Sequence, residues 1–159
     1  MAERQKGLAE LLEKGGVVNN ITGTTLREVL SALVHSYRSR LPISPETLFE
    51  AVLEREAMMS TGFGKGIAFP HPRNPIVTAE DDQFATLAFL KYPVDWNSLD
   101  GERVDTLVLI VTASARQHLR ILSEITYFCR QDAFSKMLKE HASLENILRY
   151  IREAERKWK

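Results

Sequence analysis

Among the side chains able to do chemistry, His71 has the most constrained setting. It closes the run Ser60-Thr61-Gly62-Phe63-Gly64-Lys65-Gly66-Ile67-Ala68-Phe69-Pro70-His71 and is followed by Pro72. Pro72 drives His71 away from helical φ/ψ, Pro70 does the same to Phe69, and each proline fixes its own φ. The backbone should be extended and stiff there, presenting one imidazole in one direction. A neutral imidazole nitrogen is a good nucleophile near neutral pH. Upstream, Thr61, Gly62, Gly64 and Gly66 make a candidate loop whose N–H groups face an anion, since glycine allows positive φ and close backbone approach. The loop is not a familiar nucleotide site. Its third glycine comes one residue too early for G-x-G-x-x-G, and Lys65 is followed by glycine where the Walker pattern needs Ser or Thr. Taken alone, these residues equally fit a glycine-rich turn beside a histidine.

Two further side chains bear on the choice. Arg55 should end a helix just before the loop, where its planar fork suits phosphate; taken alone, it fits a salt bridge to Glu54 or Glu56, or a solvated side chain, better. His118 falls in the first turn of a helix capped at Ser114, where the positive end of the helix dipole disfavours its protonation. A neutral His118 could donate one N–H to a phosphate or to another imidazole, or be a half-exposed helix residue. His35 reads as an exposed helix residue and His141 as a loop or helix-end residue.

The elements that must position these groups are marked by periodicity and caps. Arg4 to Lys14, with leucines at 8, 11 and 12, reads as a helix stopped by Gly15-Gly16, and Val17 to Ile21 as a short strand. Thr25 and Glu28 form a capping-box pattern before a helix with core face Leu26, Val29, Leu30, Leu33, Val34 and Tyr37. Ser44-Pro45 starts a helix carrying Leu48, Phe49, Val52 and Leu53 inward and ending between Arg55 and Met59. Phe84–Leu90 and Val104–Val111 are strands apolar enough to be central, joined through Tyr92-Pro93-Val94-Asp95-Trp96 and the turn Leu99–Glu102. Ser114 and Gln117 suggest a second capping box, opening a helix through Leu119, Leu122, Ile125 and Phe128. Two more helices follow, N-capped at Asp132 and Ser143, the last burying Leu144, Ile147, Leu148 and Ile151. This order predicts an α/β fold: a mixed parallel and antiparallel central sheet with helices on both faces, one domain over residues 1–159.

Bulk properties exclude several classes. The 21 basic and 21 acidic residues cancel, leaving no electrostatic footprint for nucleic acid or an anionic membrane. The 44% apolar and 26% charged composition is that of a globular domain. The single cysteine, Cys129, allows no internal disulfide and sits in an apolar helical pattern, as a buried small hydrophobe does. No apolar run approaches the roughly 20 residues of a membrane span, and none follows the N-terminus as in a signal peptide, so a cytoplasmic protein is expected. Metal-binding spacings are missing.

Leu53-Glu54-Arg55-Glu56-Ala57, the block from Ser60 to His71, and Ala115-Arg116-Gln117-His118-Leu119 together resemble enzyme IIA of the fructose/mannitol type. Such proteins are components of the bacterial phosphoenolpyruvate-dependent phosphotransferase system. The resemblance runs from about Leu8 to Ile151 and implies a mixed sheet flanked by helices. It makes His71 the phosphorylated histidine, Arg55 the active-site arginine and His118 the second histidine. It implies a phosphohistidine intermediate, with phosphate arriving from the carrier HPr and leaving for a IIB partner, and no cofactor, nucleotide or metal. Phe63 and Arg73 are then candidates for carrier docking, with Phe69 assigned to the core. The stretch Leu11–Gly23 resembles nitrogen-type regulatory members more than mannitol-type ones, as does a chain made of the IIA domain alone. On that branch the phosphorylation state would control a target protein. The alternatives are a sugar-specific IIA serving fructose- or mannitol-type uptake, and a module that binds a partner without accepting phosphate.

Overall fold

The computed structural model describes residues 6–37 and 41–158. Arg4, the expected start of the first helix, lies outside the described residues. The elements are α1 (Leu8–Gly15), β1 (Val17–Ile21), α2 (Leu26–Val34), α3 (Pro45–Met58), β2 (Gly62–Gly64), β3 (Ile67–Ala68), β4 (Phe84–Val94), β5 (Val104–Val111), α4 (Ala115–Cys129), α5 (Asp132–Lys139) and α6 (Leu144–Lys157), with a 3-10 turn at Glu80–Asp82. The strands form one open sheet in the order β1-β4-β5-β3-β2. β1 runs parallel to β4 and β3 parallel to β5, whereas β4 with β5 and β2 with β3 are antiparallel.

The apolar runs of β4 and β5 follow from burial on both faces. Ala85, Leu87 and Phe89, with Val108 and Ile110, face a core built with α1, α4, α5 and α6. Phe84, Ala88 and Leu90, with Leu107, Leu109 and Val111, face a second core built with α2 and α3. Helices therefore cover both faces, as the order of elements suggested. Gly15 lies so close to β4 that a Cβ there would sit 1.9 Å from the Ala85 carbonyl oxygen.

The caps hold with adjustments. Thr25, Ser44, Ser114 and Ser143 each accept the N–H three residues on. Both capping boxes are half-formed. Glu28 returns to Thr24 rather than Thr25, and the Gln117 amide donates to the Lys6 carbonyl at 2.6 Å. Asp132 is the first residue of α5, with Gln131 at the N-cap. Leu119 is not a core residue: it is 68% exposed, and the buried face of α4 is Gln117, Ile121, Ile125, Phe128 and Cys129. In this phase Leu119 lies two residues, about 200°, from Gln117 and Ile121, on the outer side of the helix. β4 continues through Pro93, where a connector was expected; its register with β5 shifts between Phe89 and Val94, and Lys91–Pro93 stay exposed. Cys129 is fully buried, which pushes its thiol up to about 12.

Candidate active site

The segment from Ser60 to His71 folds as a hairpin rather than an open loop. Gly62 pairs with Ala68 and Gly64 with Ile67, and β3 joins β5 with Ile67 opposite Thr106. The chain stays on β5 beyond β3, because the Ile110 N–H donates to the Pro70 carbonyl at 3.1 Å. Phe69 faces the same core as Ile67, and its ring lies 5.3 Å from that of the half-buried Phe63. His71 thus emerges past the carboxyl end of β3, beside the carboxyl end of β5, where β5 hands over to α4. Ligands of open α/β sheets bind at such ends.

There the structure brings the three expected groups together. The His71 and His118 ring centroids are 4.4 Å apart. His71 is only 7% exposed, and its Nδ1 lies 2.7 Å from the Phe69 carbonyl oxygen. A carbonyl only accepts, so Nδ1 carries the proton and Nε2 keeps its lone pair. Among the described residues, Nε2 has no hydrogen-bond partner. Burial pushes the His71 pKa down to about 4; the Phe69 bond opposes this, and His118 and Arg55 reinforce it. The His118 pKa is lowered too, first by burial and then by Arg55. The direction matches the expectation from the helix start, but the cause is desolvation and a neighbouring guanidinium. Both rings are neutral at pH 7.

Arg55 occupies the last turn of α3, and its Nη1 donates to the Met59 carbonyl at 2.6 Å. It forms no ion pair with Glu54 or Glu56 among the described residues. Its charge acts on both imidazoles instead. Glu56, which the sequence offers as an ion-pair partner for Arg55, is instead a buried carboxylate bonded to Thr61. The only signal in the sequence is slight: a glutamate next to Arg55 in the final turn of a helix, five residues before a threonine that precedes the glycine run.

The glycines are spread along the hairpin. The Gly66 carbonyl accepts from Thr106, and that of Pro70 from Ile110; four strand residues between these acceptors correspond to about 13 Å. Gly64 and Gly66 therefore lie at the far end of the hairpin from His71. Their positive φ values of 108° and 81° make the tight turn, and they approach the Asp100 and Asp105 carboxylates. Near His71, the Thr61 N–H donates to Glu56 and that of Gly62 to Ser60. These N–H groups are engaged within the fold. Arg73 is exposed and lines, with Pro72, Ile110, Thr112, His118 and Leu119, a cleft of about 220 Å³ beside the histidines. Among the described residues no cluster of His, Cys, Asp and Glu suits a metal ion, and no helix is long and apolar enough to cross a membrane. His35 caps α2 and meets Glu46 at 3.4 Å. His141 stacks on Phe89 with centroids 4.1 Å apart.

Known proteins carry the same architecture. The chain is 34% identical over 121 residues to a nitrogen regulatory protein of Pseudomonas aeruginosa, covering 74% of this chain and 77% of that one. It is 29% identical to the fructose-specific EIIABC component of Bacillus subtilis, a match covering 91% of this chain and 23% of that longer protein. The crystal structure of nitrogen regulatory protein IIA-Ntr from Neisseria meningitidis superposes with a TM-score of 0.77 at 23% identity, over 90% of this chain and 97% of that one. Residues 10–154 match the family described as phosphoenolpyruvate-dependent sugar phosphotransferase system, EIIA 2. The chain belongs to this EIIA 2 family of phosphotransferase components.

Proposed function

We propose that His71 accepts a phosphoryl group on Nε2 from an HPr-type carrier, and that the chain serves as a nitrogen-type regulatory IIA. The observation that carries this is the buried, neutral His71, with Nδ1–H tied to the Phe69 carbonyl and the ring set beside His118 and Arg55. The Nε2 lone pair attacks phosphorus as the bond from phosphorus to the carrier's histidine nitrogen breaks. That bond's electron pair returns to the carrier imidazole. The Nδ1 proton stays on the Phe69 bond throughout, so no base is needed. Charge spreads over the three equatorial oxygens in the transition state, and positioned cations and donors stabilise it. Arg55 supplies the planar, doubly donating cation and His118 one N–H. The glycine hairpin contributes shape, placing Pro70 and His71 on the end of β5.

Transfer onward to a IIB partner runs the same step in reverse, and on the regulatory branch the phosphorylated and free forms differ in affinity for a target. The 34% identity to a nitrogen regulatory protein favours that branch. We read residues 1–159 as one such domain acting in the cytoplasm, with Arg73 and Leu119 at the cleft, and Phe63, whose ring packs on Phe69, meeting the carrier. The test is nitrogen-15 NMR of the protein phosphorylated by phosphoenolpyruvate, enzyme I and HPr. Phosphorus coupled to Nε2 of His71 is the expected result; phosphorus on Nδ1, or on another residue, contradicts the reading.

A further inference from the structure

We propose that Glu56 is the positioning residue of the site, setting Arg55 and His71 against each other through Thr61. This rests on the transfer role of those two residues proposed above. Glu56 is 8% exposed, and its two carboxylate oxygens accept from the Thr61 N–H and hydroxyl, both at 2.5 Å. Having donated to Glu56, the hydroxyl accepts from Trp96 Nε1 at 3.3 Å. Thr61 is thereby fixed on three sides.

Two arms leave this hub. The first is the Met59–Thr61 segment, which Glu56 ties back onto the end of α3; its Met59 carbonyl holds the Arg55 guanidinium at 2.6 Å. In the second, the Thr61 carbonyl accepts from the Phe69 N–H at 3.1 Å, and the Phe69 carbonyl accepts the Nδ1 proton of His71 at 2.7 Å. One peptide unit away from each end of the hub stand the cation and the nucleophile. A buried carboxylate is costly unless it is fully hydrogen-bonded. Here its hydrogen bonds tie the arginine-bearing helix to Thr61, whose carbonyl holds the segment that leads to the histidine. Thr61 acts in this reading as a joint rather than as an anion ligand.

The test compares Glu56→Gln, Thr61→Val and Thr61→Ser with Ile147→Val, a control on α6, across the sheet from α3 and in none of these hydrogen bonds. The readouts are the ring-nitrogen spectrum of His71 and the rate of phosphoryl transfer from phospho-HPr. An amide offers one acceptor where the carboxylate offers two, and valine removes the hydroxyl from both of its bonds. Glu56→Gln and Thr61→Val should lower the share of His71 with its proton on Nδ1 and slow transfer by roughly ten- to a hundredfold. Thr61→Ser keeps the hydroxyl and should restore both, and Ile147→Val should leave both unchanged. Thr61→Val keeps the shape of the side chain, so it answers the question if Glu56→Gln does not fold. Unchanged His71 nitrogens and rate in Thr61→Val overturn the proposal, as does an equal loss in Ile147→Val. A wild-type chain that takes no phosphate refutes the transfer role, whereas the nitrogen spectra still decide whether Glu56 positions His71.

Discussion

Replacing His71 with glutamine should make the protein more tolerant of acid, and the size of the effect follows from burial. The folded-state pKa of His71 lies at about 4, and an unfolded chain titrates near 6.5. Above pH 6.5 the ring is neutral in both states, so its stability contribution is fully present. As pH falls below 6.5 the unfolded state takes up the proton first, and stability is lost until pH passes the folded value. Between pH 7 and pH 4.5 this amounts to about 2 kcal/mol for one site, a large share of a typical folding free energy. Because His71 is only 7% exposed, solvent screening reduces the figure little. Urea unfolding of wild type and His71→Gln at both pH values measures it. The wild type should lose about 2 kcal/mol more than the variant over that interval. Equal losses would mean that His71 titrates normally, and would refute the burial argument together with the neutrality it confers on the nucleophile.

Other outcomes follow from the same geometry. His118→Ala should slow phosphoryl transfer by roughly ten- to a hundredfold while leaving labelling of His71 intact, since it removes a donor and not the acceptor; single-turnover transfer from phospho-HPr measures this, and an unchanged rate removes His118 from the mechanism. Arg55→Gln should raise the pKa of both imidazoles, because the guanidinium opposes their protonation; NMR titration reads both. Gly15→Ala should destabilise the fold by about 1–3 kcal/mol through overpacking, outweighing the ~1 kcal/mol that alanine gains over glycine in a helix. Denaturant midpoints check the sign.

Much of the architecture was legible because local signals and tertiary demands agree. Val17–Ile21 and Val104–Val111 are strands over the expected residues, and Ser44-Pro45 starts α3 as the cap rules require. β2 and β3 are not legible in the sequence because strands of three and two residues, with two glycines among the five, carry no hydrophobic period. Leu119 misled for the opposite reason: an apolar residue on a helix reads as core until the helix is phased against its sheet. At the site, the prolines and arginine could be read locally. The meeting of His71 with His118 depends on β3 pairing with β5 and on α4 starting where β5 ends, and only the family resemblance anticipated it. The glycines suggested an anion loop by composition, whereas Asp100 and Asp105, distant in sequence, show what their turn packs against.

The most direct test of the account is an intact-mass measurement after incubation with phosphoenolpyruvate, enzyme I and HPr. The wild type should gain the mass of one phosphoryl group, lost in acid and stable in base, and His71→Ala should gain none. A wild-type chain left unmodified under conditions that phosphorylate another IIA protein, or a His71→Ala chain that still takes up the group, would contradict the account.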